Sequence, residues 1–216
     1  MADAHEVFEA LKKGDIAKVK AMLAAHPSLA TARDAQGLSL LMTARYRFAM
    51  PLVEQIVALH TGIDLHEACA LGDTKRIGEL LDVKPDAIAS HSPAGYTPLH
   101  LASFFGQPAA AKLLLDRGAS VDALSTNAMK LTALHSAAAG GNAETVDLLL
   151  ERGADPNAKQ HGGFTPLQSA AANGNVPMVK SLLLRGADAA AVSDDGRTAA
   201  DLARAKDNDE VLTLLE

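Results

Sequence analysis

An alanine recurs seven times along the chain at one point of a repeating pattern, and this recurrence constrains the fold more than any other feature. Successive alanines are separated by 34, 24, 34, 35, 33 and 33 residues. Self-similarity at such a period is typical of stacked supersecondary units, none of which can bury its apolar face alone. We therefore expect one elongated domain over residues 1–216, with its function on a surface. The alanines are Ala10, Ala44, Ala68, Ala102, Ala137, Ala170 and Ala203.

Apolar residues keep fixed distances from each alanine. Three positions before it lies a Leu or Val in every repeat except the last, where Ala200 stands. Twelve positions after it lies another apolar residue, which indicates a second buried helix in each repeat. These second positions are Met22, Ile56, Leu80, Leu114, Leu149, Leu182 and Leu215.

The repeat around Ala102 shows the local signals most clearly. Thr97 is a favourable N-cap, and Pro98 fits the first position of a helix because its missing N–H has no partner there anyway. The pattern predicts a short helix to about residue 105, a turn at Gly106 and a second helix over about 108–117. A polar stretch rich in turn-forming residues then separates successive repeats, which we interpret as a hairpin-like loop.

These residues resemble the ankyrin-repeat signature, which pairs a Thr-Pro-Leu-His-x-Ala segment with a following Leu-Leu-Leu-x-Arg-Gly-Ala segment. The first segment is present in three consecutive repeats at 97–102, 132–137 and 165–170, and the second at 113–119, 148–154 and, shortened, 182–187. The resemblance implies an all-α solenoid of stacked helix-turn-helix units with short hairpin-like loops. We expect repeats over about 5–36, 37–62, 63–95, 96–130, 131–163 and 164–196, with a cap over 197–216.

The second repeat departs from the pattern in two ways. It is some ten residues short, since residues 59–63 leave no room for a hairpin, and it has Phe48 where the turn glycine is expected. We expect a missing hairpin there, and hence a notch or a changed stacking angle.

Composition excludes several classes of function. The net charge is −6, and residues 131–216 have seven Lys and Arg against twelve Asp and Glu, so a nucleic-acid interface is not expected. Cys69 is the single cysteine, which rules out an intramolecular disulfide and favours a reducing compartment. The N-terminus lacks a signal-peptide pattern, and no apolar run of about 18 residues occurs. We expect a cytoplasmic protein without membrane contact, monomeric on its own.

The eight histidines raise the question of a metal site. His66, His100 and His135 occupy equivalent positions in successive repeats, so they would lie about 10 Å apart, too far to share one zinc ion. We interpret them as structural residues that bond backbone groups or the capping threonine, and we expect no metal and no cofactor. Cys69 is interpreted as a packed thiol, and no catalytic constellation is visible.

The resemblance also implies which residues face the binding groove. The family uses the two residues before the turn glycine and the residue before the capping threonine. Five of the seven aromatic residues fall on these positions. Such aromatic residues make good interface anchors, although those before the threonine could merely stiffen the loop, and one phenylalanine could tuck between helices. The candidate partner-binding residues are Tyr46, Arg47, Leu71, Tyr96, Phe104, Phe105 and Phe164.

Charged residues flank these candidates. Lys12, Lys13 and Arg47 lie at groove positions toward the N-terminus, whereas Asp194 and Asp195 lie in the last loop. If the groove binds a partner, an apolar anchor with an acidic segment toward the N-terminal repeats fits best.

The first functional hypothesis is a non-enzymatic protein-interaction module that holds a partner protein in its groove. The alternative is a small-molecule or metal-binding, possibly catalytic, protein that uses the notch near residues 48–69. A third hypothesis, a stabilising or inhibitory subunit of an enzyme, shares the binding mechanism of the first.

Overall fold

The computed structural model describes residues 2–216, with side chains from residue 4 onward. Within this range the chain is helical, which confirms the all-α prediction, and its single isolated β-bridge joins Arg33 to Ser39. None of the described helices has both the length and the apolar character needed to cross a bilayer.

The helices alternate between the first and second positions of each repeat. In the first three repeats they are α1 (Ala2–Lys12), α2 (Ile16–Ala25), α3 (Leu40–Tyr46), α4 (Met50–Leu59), α5 (Leu65–Leu71) and α6 (Thr74–Val83). In the later repeats they are α7 (Pro98–Phe104), α8 (Pro108–Asp116), α9 (Ala133–Ala139), α10 (Ala143–Glu151), α11 (Pro166–Ala172), α12 (Val176–Leu184), α13 (Ala199–Arg204) and α14 (Asp209–Leu215). One-turn 3-10 helices at Pro27–Thr31 and Pro85–Ala89 follow α2 and α6, a detail that the sequence pattern did not predict.

The chain divides into two compact parts, Met1–Glu67 and Ala68–Glu216. In the first part, α1 packs on α2 and α3, and α3 packs on α4. In the second part, α7, α9, α11 and α13 pack side by side as one layer, and α6, α8, α10, α12 and α14 form the other. Each part is thus a two-layer helical stack. The single domain over residues 1–216, with the repeat boundaries given above, stays a prediction.

The recurring alanines form the contact between helices. Ala44, Ala68, Ala102, Ala137, Ala170 and Ala203 are fully buried, and Ala10 is nearly so. A methyl side chain lets two helix axes approach closely, so a larger residue at these positions would overfill the contact. The repetition in sequence therefore has a packing cause.

Hairpin-like loops link the repeats, as the sequence predicts. A backbone N–H closes each hairpin by donating to a carbonyl four residues later at 34–38, 92–96, 160–164 and 193–197, and six residues later at 125–131. Neighbouring hairpins are joined in turn, since the amide of Thr126 donates to the Gly95 carbonyl (2.9 Å) and that of Asp194 to the Gly162 carbonyl (2.9 Å). Loops held in this way can present side chains at fixed positions.

The second repeat lacks its hairpin, as expected from its length. Only residues 60–64 connect α4 to α5. The Arg33 side chain spans this region, donating to the Gly37 carbonyl (3.0 Å) and to Asp64 Oδ2 (2.9 Å). Phe48 takes the position of the turn glycine with φ +54°, in the left-handed region.

The third repeat differs from its neighbours at the start of its first helix. α5 begins three residues before Ala68, whereas α7 begins four residues before Ala102. The reason is a reciprocal cap: the Asp64 amide donates to Glu67 Oε2 and the Glu67 amide donates to Asp64 Oδ1, each at 2.9 Å. Glu67 therefore has the capping role that the alignment assigns to His66, and His66 itself is partly exposed.

Candidate protein-binding surface

Tyr96 lies at the end of a closed hairpin and immediately before the cap of α7. Its amide donates to Ser92 Oγ (3.2 Å), and its carbonyl accepts from the Ser92 amide (2.8 Å). The tyrosine ring is partly exposed and lies 6.0 Å from the imidazole of His100, centroid to centroid. The hairpin and the helix cap together fix where this ring stands.

His100 joins two repeats. Its Nδ1 accepts from Thr97 Oγ1 (2.6 Å), which leaves Nε2–H to donate to the Leu131 carbonyl (2.8 Å). His135 repeats the arrangement with Thr132 and the Phe164 carbonyl (2.9 and 3.1 Å). Both imidazoles are almost fully buried, which confirms that these two histidines are structural.

Gln168 links the cap of its helix to the next loop in a similar way, through the threonine amide in place of the hydroxyl and without a titratable group. Its Oε1 accepts from the Thr165 amide (2.7 Å), and its Nε2 donates to the Arg197 carbonyl (2.7 Å). The carbonyls bound by His100, His135 and Gln168 all belong to the residue just before a capping threonine. These buried side chains therefore hold the backbone of the loop positions that the sequence predicts to face a partner.

Burial lowers the pKa of His100 to about 4 and also lowers the pKa of His135. An unfolded histidine has a pKa of about 6.5, so the unfolded chain takes up protons first as the pH falls. The contribution of His100 to the free energy of unfolding is therefore fully present above pH 6.5, and it is lost as the pH falls toward 4.

Between pH 7 and pH 5 the wild-type protein is expected to lose about 2 kcal/mol of unfolding free energy through His100 alone. The variant His100→Gln copies Gln168, which bonds the amide of its capping threonine and the carbonyl of the next loop, and it has no proton to gain. Urea denaturation at the two pH values checks this, and equal losses in both proteins would show that His100 is not held neutral.

Phe104 and Phe105 lie at the C-terminal end of α7, the helix that Tyr96 precedes. Phe104 is the last helical residue, and Phe105 is the C-cap. Their rings meet edge to face with centroids 5.1 Å apart, and both side chains are partly exposed. A helix of this length spans about 10 Å, so Tyr96 and the phenylalanine pair flank α7 at its two ends. We call Tyr96, Phe104 and Phe105 the aromatic surface.

Phe164 has a different environment. The guanidinium of Arg197 lies 5.5 Å from the centroid of its partly exposed ring, in cation–π geometry. The ring also borders a shallow, largely apolar depression of about 410 Å³, lined among others by Met129, Ala172 and Leu202. Phe164 is thus brought together with an arginine of the next loop and not with another aromatic residue.

The remaining candidates lie at the ends of first helices. Tyr46 and Arg47 are the last residue and the C-cap of α3, with Tyr46 partly exposed and Arg47 exposed. Leu71, the last residue of α5, is partly exposed. All seven candidates have some exposed surface.

Three residues beside Phe164 were missed by sequence reasoning: Met129, Arg197 and Leu202. Met129, 41% exposed, lies in the hairpin 125–131, which is longer than the others. The interval of 35 residues between Ala102 and Ala137 is the signal of that longer loop. Arg197 and Leu202 gave no signal because their approach to Phe164 depends on the stacking of repeats.

Within the described side chains, the histidines, the cysteine and the acidic residues do not gather into a ligand set. Across the described residues no group of three or more His, Cys, Asp or Glu side chains is placed to hold a metal ion. Cys69 is a buried thiol that forms no disulfide, as expected of a packed residue.

Comparison with known proteins gives matches over much of the chain. A family model described as ankyrin repeats (three copies) matches residues 65–160, and the single ankyrin-repeat model matches residues 162–194, together more than half of the chain. A rice protein (Oryza sativa subsp. japonica), the BTB/POZ domain and ankyrin repeat-containing protein NPR2, is 37% identical over 76 residues. That match covers 35% of this chain and 12% of the rice protein.

Proposed function

Because the chain belongs to the ankyrin-repeat family, we propose that it is a non-enzymatic module that binds a partner protein through aromatic anchors. Ankyrin repeats generally act in protein–protein interaction, and repeat stacks offer extended binding surfaces. The proposed anchors in the second compact part are Tyr96, Phe104 and Phe105, with Leu71 and Phe164 beside them along the repeats. Tyr46 and Arg47 are proposed as binding residues of the first part.

The observation that carries this proposal is the concentration of aromatic residues around one helix. Only 3% of the residues are aromatic, yet three partly exposed rings flank α7. Tyr and Phe contribute large contact areas at little cost in conformational entropy, so they are frequent anchors at interfaces. The hairpin closure already fixes the backbone of Tyr96, and the end of α7 fixes that of Phe104 and Phe105, which reduces the entropy lost on binding.

The charge and composition support a protein partner over nucleic acid. The net charge of −6 opposes binding to a phosphate backbone. We further propose that the chain acts in the cytoplasm and is monomeric on its own, in keeping with its single buried cysteine.

Replacing Tyr96 and Phe105 together by alanine is expected to weaken binding of a co-purified partner by more than about thirtyfold. Each truncated anchor should cost more than about 1 kcal/mol of binding free energy, because water that fills the space of the ring does not restore its packing against the partner. Isothermal titration calorimetry with the purified partner measures the change, and circular dichroism checks that the fold is intact.

The matched control is Val83→Ala. Val83 is 87% exposed at the end of α6, outside the aromatic surface, so its truncation should leave the affinity unchanged. A folded Tyr96→Ala/Phe105→Ala protein that binds as tightly as the control would refute the role of the aromatic surface.

A further inference from the structure

Phe48 combines two features that a folded chain normally avoids. Its side chain is 67% exposed, and its φ of +54° lies in the left-handed region. A Cβ atom crowds the following carbonyl in that conformation, which is why glycine is favoured there. The same turn position holds glycine with positive φ in five other repeats, at Gly14, Gly72, Gly106, Gly141 and Gly174.

The fold does not need a phenylalanine at this turn. The Phe48 amide donates to the Arg45 carbonyl and its carbonyl accepts from the Met50 amide, both at 3.0 Å. In the first repeat, Gly14 makes the corresponding bonds to Leu11 and Ile16 at 3.1 and 2.9 Å. Glycine therefore closes this turn equally well. In phenylalanine the Cβ atom strains the backbone, and the exposed ring gains little burial in return. A strained backbone at an exposed residue of this kind points to function.

Two other exposed apolar residues do not share this signature. Val83 and Leu184 are 87% and 84% exposed, but each is the last residue of a helix, and neither has positive φ. Single apolar residues at such positions are ordinary in folded proteins. Phe48 is distinguished by its backbone as well as by its exposure.

Two cationic residues accompany the turn, one in the same repeat and one in the adjacent repeat. Arg47 precedes Phe48, and Lys13 precedes the equivalent Gly14 in the adjacent repeat, whose α1 packs on α3 at about 10 Å. Both cations are exposed, and among the described side chains neither has an acidic partner within ion-pair distance.

Two acidic groups near Lys13 are already engaged. Glu9 pairs with Lys12 at 3.1 Å, and Asp15 Oδ1 accepts from the Lys18 amide at 3.0 Å as the cap of α2. Met50, 43% exposed, adds apolar area beside the phenylalanine. We call Lys13, Arg47, Phe48 and Met50 the Phe48 surface.

We propose that the Phe48 surface binds an acidic segment of a partner protein that carries an apolar side chain. The apolar side chain packs on Phe48 and Met50, and carboxylates of the segment pair with Lys13 and Arg47. Charge complementarity favours this occupant, because the unpaired side chains of Lys13 and Arg47 are cations. The inference rests on the proposed protein-binding function but uses residues separate from the aromatic surface.

The test uses the full chain and short fluorescein-labelled peptides of alternating Asp and Glu with one central Leu. Fluorescence anisotropy at low ionic strength should show binding at least about fivefold tighter than to the same peptide with a central Ser. Phe48→Gly should weaken binding of the Leu peptide at least about fivefold. The same variant should unfold at the same or a higher temperature, because glycine relieves the backbone strain.

Leu184→Ser is the matched control, since it removes an even more exposed apolar residue and should leave peptide affinity unchanged. Equal affinity for the Leu and Ser peptides would overturn the proposal, as would tighter binding of a Lys-rich peptide. Unchanged affinity of Phe48→Gly, or a lower unfolding temperature, would also overturn it, the latter by assigning Phe48 a structural role. Tyr96→Ala/Phe105→Ala should bind the peptide normally, so failure here is distinguishable from failure of the aromatic surface.

Discussion

Replacing Gly140 by alanine is expected to lower the free energy of unfolding by about 3 kcal/mol. A Cβ atom at this position would lie 2.2 Å from the Phe104 carbonyl oxygen and 2.6 Å from Asn142 Nδ2. The backbone φ of Gly140 is −76°, which any residue adopts, so the cost is steric and not conformational. Urea denaturation followed by circular dichroism measures it.

The clash would also disturb the contact between two repeats. Asn142 Nδ2 donates to the carbonyls of Ser103 and Phe104 at 3.0 and 2.8 Å. Moving either group to admit a methyl would weaken these bonds, and it would shift the backbone next to the phenylalanine pair. A loss of partner binding is therefore expected alongside the loss of stability.

Gly78→Ala is the control, and it is expected to raise the free energy of unfolding where Gly140→Ala lowers it. Gly78 lies inside α6, and an added Cβ there meets no atom within 4 Å. Alanine is expected to stabilise the protein by about 0.5–1 kcal/mol, because glycine in a helix interior has the greater conformational freedom to lose. If both variants changed stability by the same amount, close packing at Gly140 would be disproved.

The second large effect is expected for His100→Ala, which should lower the free energy of unfolding by about 3 kcal/mol at pH 7. The substitution removes the acceptor of the buried Thr97 hydroxyl and one of the two donors to the Leu131 carbonyl, which keeps its bond from the Ser125 amide, and it leaves a cavity. An unsatisfied buried polar group costs more than a hydrogen bond contributes, so the loss exceeds that of a surface residue. Chemical denaturation at pH 7 measures this loss.

His100→Gln separates the hydrogen bonds from the imidazole. Since Gln168 caps its helix and reaches the next loop in the same way, this variant should retain stability to within about 1 kcal/mol of wild type. A glutamine variant as unstable as the alanine variant would mean that ring packing, and not bonding, makes His100 important.

The sequence was sufficient for those features of the fold that depend on local chemistry and repetition. Thr97 and Pro98 predict the start of α7, and the structure begins the helix at Pro98 with Thr97 as its cap. The short interval after Leu59 predicts the absence of a hairpin, and residues 60–64 indeed form a direct connection. These predictions succeed because caps, turns and loop lengths are properties of neighbouring residues.

The candidate surface was less predictable because it depends on contacts between repeats. The position of Phe164 follows from the alignment, but its cation–π contact with Arg197 involves a loop 33 residues away. The exchange of capping role from His66 to Glu67 depends on the reciprocal bonds with Asp64. Neither pattern is a feature of the repeat signature.

The sequence by itself determined the repeat, the helical class and the family, because every repeat buries the same alanine position and an apolar stripe on its second helix. It also located Phe48 at a position that calls for glycine. Only the tertiary structure decided how exposed that ring is, which aromatic residues meet, and which cations lack a partner. Burial and pairing depend on side chains that are far apart in the sequence but close in space. A local sequence pattern does not specify which of these side chains come into contact.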